Sequence, residues 1–270
     1  MSGGEQLRSF MVIPARLAST RLPRKLLLTE TGRPLIQHTY ESASRATRPQ
    51  GLVIAADHAE IATAVAQFGG RVLMTSPDCA SGTDRVAEIA QQMPEIDIFV
   101  NVQGDEPEIS AEAIDLAVEL LQRDPTAVMS TLATPIRSRE KLDDPACVKV
   151  VFDASGRAMY FSRSVIPHAR SWDDALLTST PATYFQHIGL YAYRREFLLQ
   201  IAKLPRCELE KVESLEQLRV LYHGYGIQVG VIEEPAIGID TPADYAAFVA
   251  RYRQRALTAD GNTSQEASIS

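Results

Sequence analysis

Several things are scarce in this sequence, and each absence excludes something. Only three cysteines occur in 270 residues, Cys79, Cys147 and Cys207. They lie far apart, form no metal-ligand spacing and leave one unpaired in any disulfide scheme. All three are expected to be structural thiols. No apolar run approaches the roughly 20 residues that span a bilayer. The first nine residues lack the apolar centre of a secretory signal, so a cytoplasmic protein without membrane insertion is expected. Positive charge is in deficit: 27 Lys and Arg face 34 Asp and Glu, for a net charge of -7. General nucleic-acid binders carry a basic excess, so no nucleic-acid partner is expected. Glycine-rich phosphate loops are missing too. No G-x-G-x-x-G follows the first apolar run and no G-x-x-x-x-G-K-[ST] occurs, which disfavours a dinucleotide-binding Rossmann enzyme and a P-loop NTPase.

What is present is a core and an alternating pattern. Hydrophobic residues make up 45% of the chain. Short β-rich apolar runs at 10–13, 52–55, 72–74, 98–102 and 128–134 are separated by helical patterns. Pro34 suits the first position of a helix whose face is Leu35, Thr39, Ala43 and Ala46. Ile61, Val65 and Phe68 form a second face, closed by Gly69-Gly70. Ser110 caps a third helix with Ala113, Ile114, Ala117, Val118 and Leu121 inward and Glu112 and Glu119 outward. Strands alternating with such helices predict an α/β fold with a doubly wound, mainly parallel sheet.

The pattern changes after residue 134. Runs at 148–152 and 157–162 around Asp153-Ala154-Ser155-Gly156 predict a β-hairpin. A polar stretch at 167–183 reads as a long mobile loop, and 187–193 as a strand. Together they predict an inserted antiparallel subdomain over about 135–195. A helix at 212–222, a strand at 228–232 and a last helix from 242 to about 255 should follow. A single domain is expected over 1–257, with a disordered tail at 258–270.

Four segments carry candidate chemistry. The first apolar run empties into Pro14-Ala15-Arg16-Leu17-Ala18-Ser19-Thr20-Arg21-Leu22-Pro23-Arg24-Lys25, four cations in ten residues, where Arg forks and a Lys point charge suit phosphate oxygens. Ser81-Gly82-Thr83-Asp84-Arg85 enters a helix near Thr83; Gly82 permits close backbone approach to a ligand, and Ser-Gly-Thr-Asp also reads as a plain N-cap. Asn101-Val102-Gln103-Gly104-Asp105-Glu106-Pro107 puts carboxylates at the end of a strand, and hard oxygen ligands there suit Mg²⁺. In Gly238-Ile239-Asp240-Thr241-Pro242, Asp240 reads as a second carboxylate ligand or as a helix cap. In an open α/β sheet such strand-end loops share one edge.

The set IPARLASTRLPRK, SGTDR, VNVQGDEP, VKVVFDASGRAMYFSR, HIGLYAYRR, ESLEQLRVL and GIDTPAD closely resembles the 3-deoxy-manno-octulosonate (Kdo) cytidylyltransferases, over about residues 10–250. The resemblance implies a nucleotide-diphospho-sugar transferase-like fold and the reaction CTP plus Kdo to CMP-Kdo plus pyrophosphate, for lipopolysaccharide synthesis. It also implies a homodimer and a Mg²⁺ cofactor. It assigns Arg16, Arg21 and Lys25 to the triphosphate, Ser81 and Gly82 to cytosine, and Asp105 and Asp240 to the metal. Gln103, Arg163, His187, Tyr191, Glu216 and Gln217 would bind the sugar, with Arg163 or His187 against its carboxylate. Taken alone, His187 reads equally as a core histidine. Glu216 and Gln217 would point about 100° apart on a helix. His38, His58, His168 and His223 are expected to be surface or structural. Arg24 stands where a small residue, often Gly, is expected before the lysine, and Asp84 where Glu is common. Another acidic sugar, a sugar 1-phosphate pyrophosphorylase and a non-catalytic nucleotide-binding regulator are the competing readings.

Overall fold

In the computed structural model, residues 7–266 are described, with side chains through 257. The first half alternates as the pattern predicts. β1 (Ser9–Ala15) leads through a short 3₁₀ turn (Lys25–Leu27) to α1 (Leu35–Ala43), β2 (Leu52–Ala56), α2 (Ala59–Gln67), β3 (Val72–Met74), α3 (Gly82–Gln92), β4 (Ile98–Asn101), α4 (Ala111–Arg123) and β5 (Ala127–Pro135). The second half holds α5 (Arg139–Asp143), β6 (Lys149–Phe152), β7 (Ala158–Ser162), α6 (Ala175–Thr178), β8 (Phe185–Arg194), α7 (Arg195–Ile201), α8 (Glu208–Glu213), α9 (Gln217–Tyr222), β9 (Gly226–Val231) and α10 (Pro242–Glu266).

The strands run β3-β2-β1-β4-β8-β5-β9 across one sheet. β1 pairs in parallel with β2 and β4, β2 with β3, and β5 with β9. Val12, Val53, Phe99 and Tyr193 face one core with α3, α7 and α9; Met11, Ile13, Ile54 and Val100 face the other with α1, α2 and α4. Burial on both faces is why these strands read as unbroken apolar runs. β8 lies inside this sheet, antiparallel to both β4 and β5. The hairpin β6–β7 hangs from it, with Lys149 opposite Gln186. The antiparallel insertion is thereby continuous with the main sheet.

Several local expectations are corrected. The helix expected over 212–222 is two helices, broken where Ser214 turns into the left-handed region at φ 53°. The break lets the buried Arg219 of α9 reach back to the Glu210 carboxylate of α8. The stretch 167–183 is no plain polar loop: it contains α6, and Leu177, with the adjoining Tyr184, joins a cluster with Ile136, Leu142 and Cys147. Pro34 sits just outside α1 rather than in its first turn. Ala46 falls beyond that helix. The disordered tail expected from 258 is instead helical through Glu266, because propagating an existing helix adds one bond per residue fixed and no proline intervenes. Residues 267–270 lie outside the described residues.

Candidate active site

The order β3-β2-β1-β4 puts a topological switch beside β1, where ligands of open α/β sheets bind. A cleft of about 380 Å³ opens there, lined by the loop after β1, the start of α3, the loop after β4, and Asp240. Arg16, Arg21, Lys25, Ser81, Gly82, Gln103, Asp105 and Asp240 all border it. Gly104 is closely packed: a Cβ there would stand 3.2 Å from Pro14 O, tighter than ordinary contact.

The basic loop is held from below. The Leu17 amide donates to Asp57 Oδ1 at 2.9 Å, and Arg85 lies 3.6 Å from the same carboxylate. Buried Arg85 also donates to Thr75 Oγ1 and Ser76 O. Asp57 and Arg85 thus tie three loops together, a role the sequence reading did not assign them. Their signal was weak: one acidic residue just after a strand, and one arginine inside a cap motif. Ser81 caps α3 by accepting from Asp84 N at 3.1 Å and donates back to its carboxylate at 3.0 Å. Ser81 is therefore the helix cap, and it also lines the cleft.

Lys25 lines the cleft and pairs with its carboxylates. Its Nζ donates to Asp105 Oδ2 at 2.5 Å, Ile239 O at 2.6 Å and Asp240 Oδ1 at 3.2 Å. Arg21 adds a contact to Asp240 Oδ1 at 2.9 Å. Asp240 is free for this because Thr241 does the capping, with Asp244 N donating to Thr241 Oγ1 at 3.2 Å. Two carboxylates and a carbonyl therefore converge on one cation-sized position. Mg²⁺ takes one or two carboxylates and completes its shell with phosphate and water, so this donor set fits it. Beside it, burial and the Asp105 charge push the Glu106 carboxyl up to about 8.

A second group adjoins the cleft without lining it. Gln103 Nε2 donates to Gly189 O at 3.3 Å, linking the cleft to β8. His187, Tyr191 and Tyr193 stack along one face of β8, with centroids 5.5 and 6.0 Å apart. His187 is buried, which holds its pKa down to about 3. Burial thus favours the neutral ring in the ligand-free protein. Donor accounting fixes its orientation. The Thr131 hydroxyl spends its hydrogen on Ile188 O or Leu190 O, at 2.9 and 3.0 Å. His187 Nε2, 2.9 Å from Thr131 Oγ1, must then carry its own hydrogen, leaving Nδ1 as an acceptor.

Arg163 follows β7. Its guanidinium donates to Glu213 O at 2.7 Å and Pro145 O at 3.0 Å. Glu216 precedes α9, and its carboxylate accepts from Thr83 Oγ1 at 3.1 Å; burial raises its pKa. Gln217 is buried, and Asn101 Oδ1, Glu106 Oε2 and Gln217 Nε2 have no hydrogen-bond partner among the described residues. Buried polar atoms are normally paired. Two of these three, on Asn101 and Glu106, lie at the end of β4 and in the loop that follows it.

The cytidylyltransferase family profile matches residues 10–229. A 3-deoxy-manno-octulosonate cytidylyltransferase of Rhodopirellula baltica is 49% identical over 246 residues, 91% of this chain and 98% of that protein. One of Syntrophotalea carbinolica is 45% identical over 90% of this chain and 97% of its own length. The chain belongs to the 3-deoxy-manno-octulosonate cytidylyltransferase family. A solved CMP:2-keto-3-deoxy-manno-octonic acid synthetase complexed with CTP superposes with a TM-score of 0.85 at 38% identity, covering 92% of this chain and 99% of that one.

Within the family pattern, the two departures have local explanations. Arg24 adopts φ 55°, the left-handed region where glycine costs nothing. Its side chain pairs with Glu60 and does not line the cleft. Asp84 closes the reciprocal cap with Ser81. Cys147 and Cys207 are buried, while Cys79 borders the cleft and donates to Glu88 Oε2 at 3.3 Å. His58 caps α2, His38 is buried against Phe248 and Tyr252, His168 is exposed, and half-buried His223 lies 3.1 Å from Pro205 O.

Proposed function

We propose that this chain transfers CMP from CTP to Kdo, releasing pyrophosphate, with Mg²⁺ as cofactor. The observation that carries the reading is the convergence of Asp105 and Asp240 on one cation position beside a basic loop, at the sheet edge where this family's CTP-bound relative has the same fold. The anomeric hydroxyl of the sugar attacks the α-phosphorus in line. A new C–O–P bond forms, the bond to the β-phosphate oxygen breaks, and the hydroxyl proton passes to solvent. Chemistry of this kind needs positioning and charge neutralisation more than covalent help. Arg16 and Arg21 neutralise the triphosphate from the rim of the cleft. Ser81 and Gly82 present backbone groups to the base. Held by Asp105 and Asp240, Mg²⁺ would supply charge neutralisation and a lower pKa for the attacking hydroxyl.

The sugar lies against β8 and the α8–α9 break. Arg163 offers the remaining edge of its guanidinium to the carboxylate, because neutral His187 has no charge to offer. His187 Nδ1 accepts from a sugar hydroxyl. Gln103, Tyr191, Glu216 and Gln217 complete the wall. The same reading places the protein in the cytoplasm, as a supplier of activated sugar for lipopolysaccharide. A homodimer is part of it. No described helix is long and apolar enough to cross a membrane.

Pyrophosphate release with CTP, UTP, ATP and GTP, each offered Kdo, sialate or a hexose 1-phosphate, tests the reading. CTP with Kdo should dominate. Equal rates with ATP, or a preference for a sugar 1-phosphate, would refute it. Light scattering after gel filtration reads the dimer.

A further inference from the structure

We propose that Lys25 closes the cation position of the nucleotide-free protein, so that a divalent cation enters with the nucleotide and not before it. An ammonium has three N–H donors and no acceptor. Lys25 spends all three here, on Asp105, Ile239 O and Asp240. Its side chain is only 11% exposed, against 29% and 50% for the two carboxylates. The ammonium therefore sits below the carboxylates, at the point where they converge. Without it, two like charges would face each other at the sheet edge; with it, they are already neutralised and offer a metal little. Arg21 also touches Asp240, but from outside, at 67% exposure, where water screens it.

A triphosphate changes this balance. It brings several negative charges to the same cleft, and Lys25 has a flexible four-carbon stem on which to turn toward them. The move would release both carboxylates at the moment the phosphate oxygens arrive to complete a metal shell. Lys25 thus makes cation affinity conditional on nucleotide, which guards the site against occupation by a metal alone. The proposal rests on the reading that Asp105 and Asp240 hold the metal.

Manganese binding, followed by electron paramagnetic resonance, tests it without turnover. The full chain is titrated with Mn²⁺ alone and with CTP in the absence of sugar. Wild-type protein should bind Mn²⁺ weakly alone and much more tightly with CTP. Without nucleotide, Lys25→Met should gain about tenfold or more in Mn²⁺ affinity, as loss of a unit charge in direct contact demands. Arg21→Met should gain less than about threefold, as an exposed pair does. Lys25→Gln, which keeps a hydrogen-bonding end, should follow Lys25→Met and serves if the methionine variant folds poorly. Equal affinity of wild type and Lys25 variants for Mn²⁺ alone overturns the proposal, as does an equal gain in Arg21→Met. If CTP fails to promote Mn²⁺ binding to wild type, or Asp105→Asn leaves the CTP-dependent site intact, the metal reading itself falls and the proposal with it.

Discussion

The two sides of this site handle charge in opposite ways. On the side of β1 and β4, ionised groups stand in an open cleft and neutralise one another: Lys25 with Asp105 and Asp240, Arg21 with Asp240. On the side of β8, polar groups are buried and their ionisation is suppressed: His187 is held neutral, and Tyr191 and Glu216 are raised by burial. The difference matches the two substrates. A triphosphate is recognised through charge, which tolerates water. A sugar is recognised through many neutral hydroxyls, which need fixed donors and acceptors out of water. In the proposed reading the single charge on the sugar is met by Arg163, whose guanidinium is anchored on two carbonyls.

Asp105→Asn should break the charged side most completely. It keeps the shape and a hydrogen-bond acceptor for Lys25 but removes one carboxylate. Turnover should fall about a hundredfold or more, equivalent to roughly 3 kcal/mol of lost transition-state stabilisation, with the melting temperature nearly unchanged. A near-normal rate in saturating Mg²⁺ would remove Asp105 from the site.

Arg163→Lys should come next, and it separates the two sides. Lysine reproduces neither the planar fork nor the double anchor to Glu213 O and Pro145 O. KM for Kdo should rise about tenfold or more and KM for CTP stay within a few-fold. Lost anchoring should also lower the melting temperature by a few degrees. A melting shift with both KM values unchanged would make Arg163 purely structural.

The pH dependence of stability sharpens the neutral side. Unfolded His187 takes up a proton below its ordinary pKa of 6.5, while the folded ring stays neutral until about 3. The unfolded state therefore binds more protons in that window, and stability falls as the pH drops from 6.5 toward 3. His187→Gln should flatten this part of the curve, measured as denaturant midpoint against pH. An unchanged slope would show that other groups dominate acid unfolding.

The smallest effects should come from the thiols. Cys207 caps α8 through its sulfur, 3.4 Å from Glu210 N, and serine is a stronger cap. A Cys79→Ser, Cys147→Ala, Cys207→Ser variant should keep turnover within about threefold, since none of the three has a chemical role. Loss of activity in well-folded protein would point to Cys79, the thiol that borders the cleft.

Legibility in the sequence followed the same division. The parallel half was readable because its strands are apolar runs, α3 and α4 carry serine caps, and the cleft loops around Arg16 and Asp105 follow β1 and β4. Ser110, for instance, accepts from Ala113 N at 3.0 Å, as its position predicts. The antiparallel half was readable as strands but not as a site. Nothing near His187 in sequence says that Thr131, 56 residues away, will fix its ring. Nor does the run at 212–222, helical in pattern, announce a break at Ser214; buried pairing of Arg219 with Glu210 favours it.

By itself, then, the sequence determined the elements, the caps, the absence of the common glycine-rich phosphate loops and the family to which the chain belongs, because these rest on local spacing and on motifs contiguous in the chain. Only the tertiary structure decided which charge meets which. Lys25 meets Asp105 across 80 residues and Asp240 across 215. It also decided that His187 is neutral and that Arg24 does not line the cleft. The reason is physical: propensity and periodicity act over a few residues, whereas burial and ion pairing depend on what the folded sheet brings within a few ångströms.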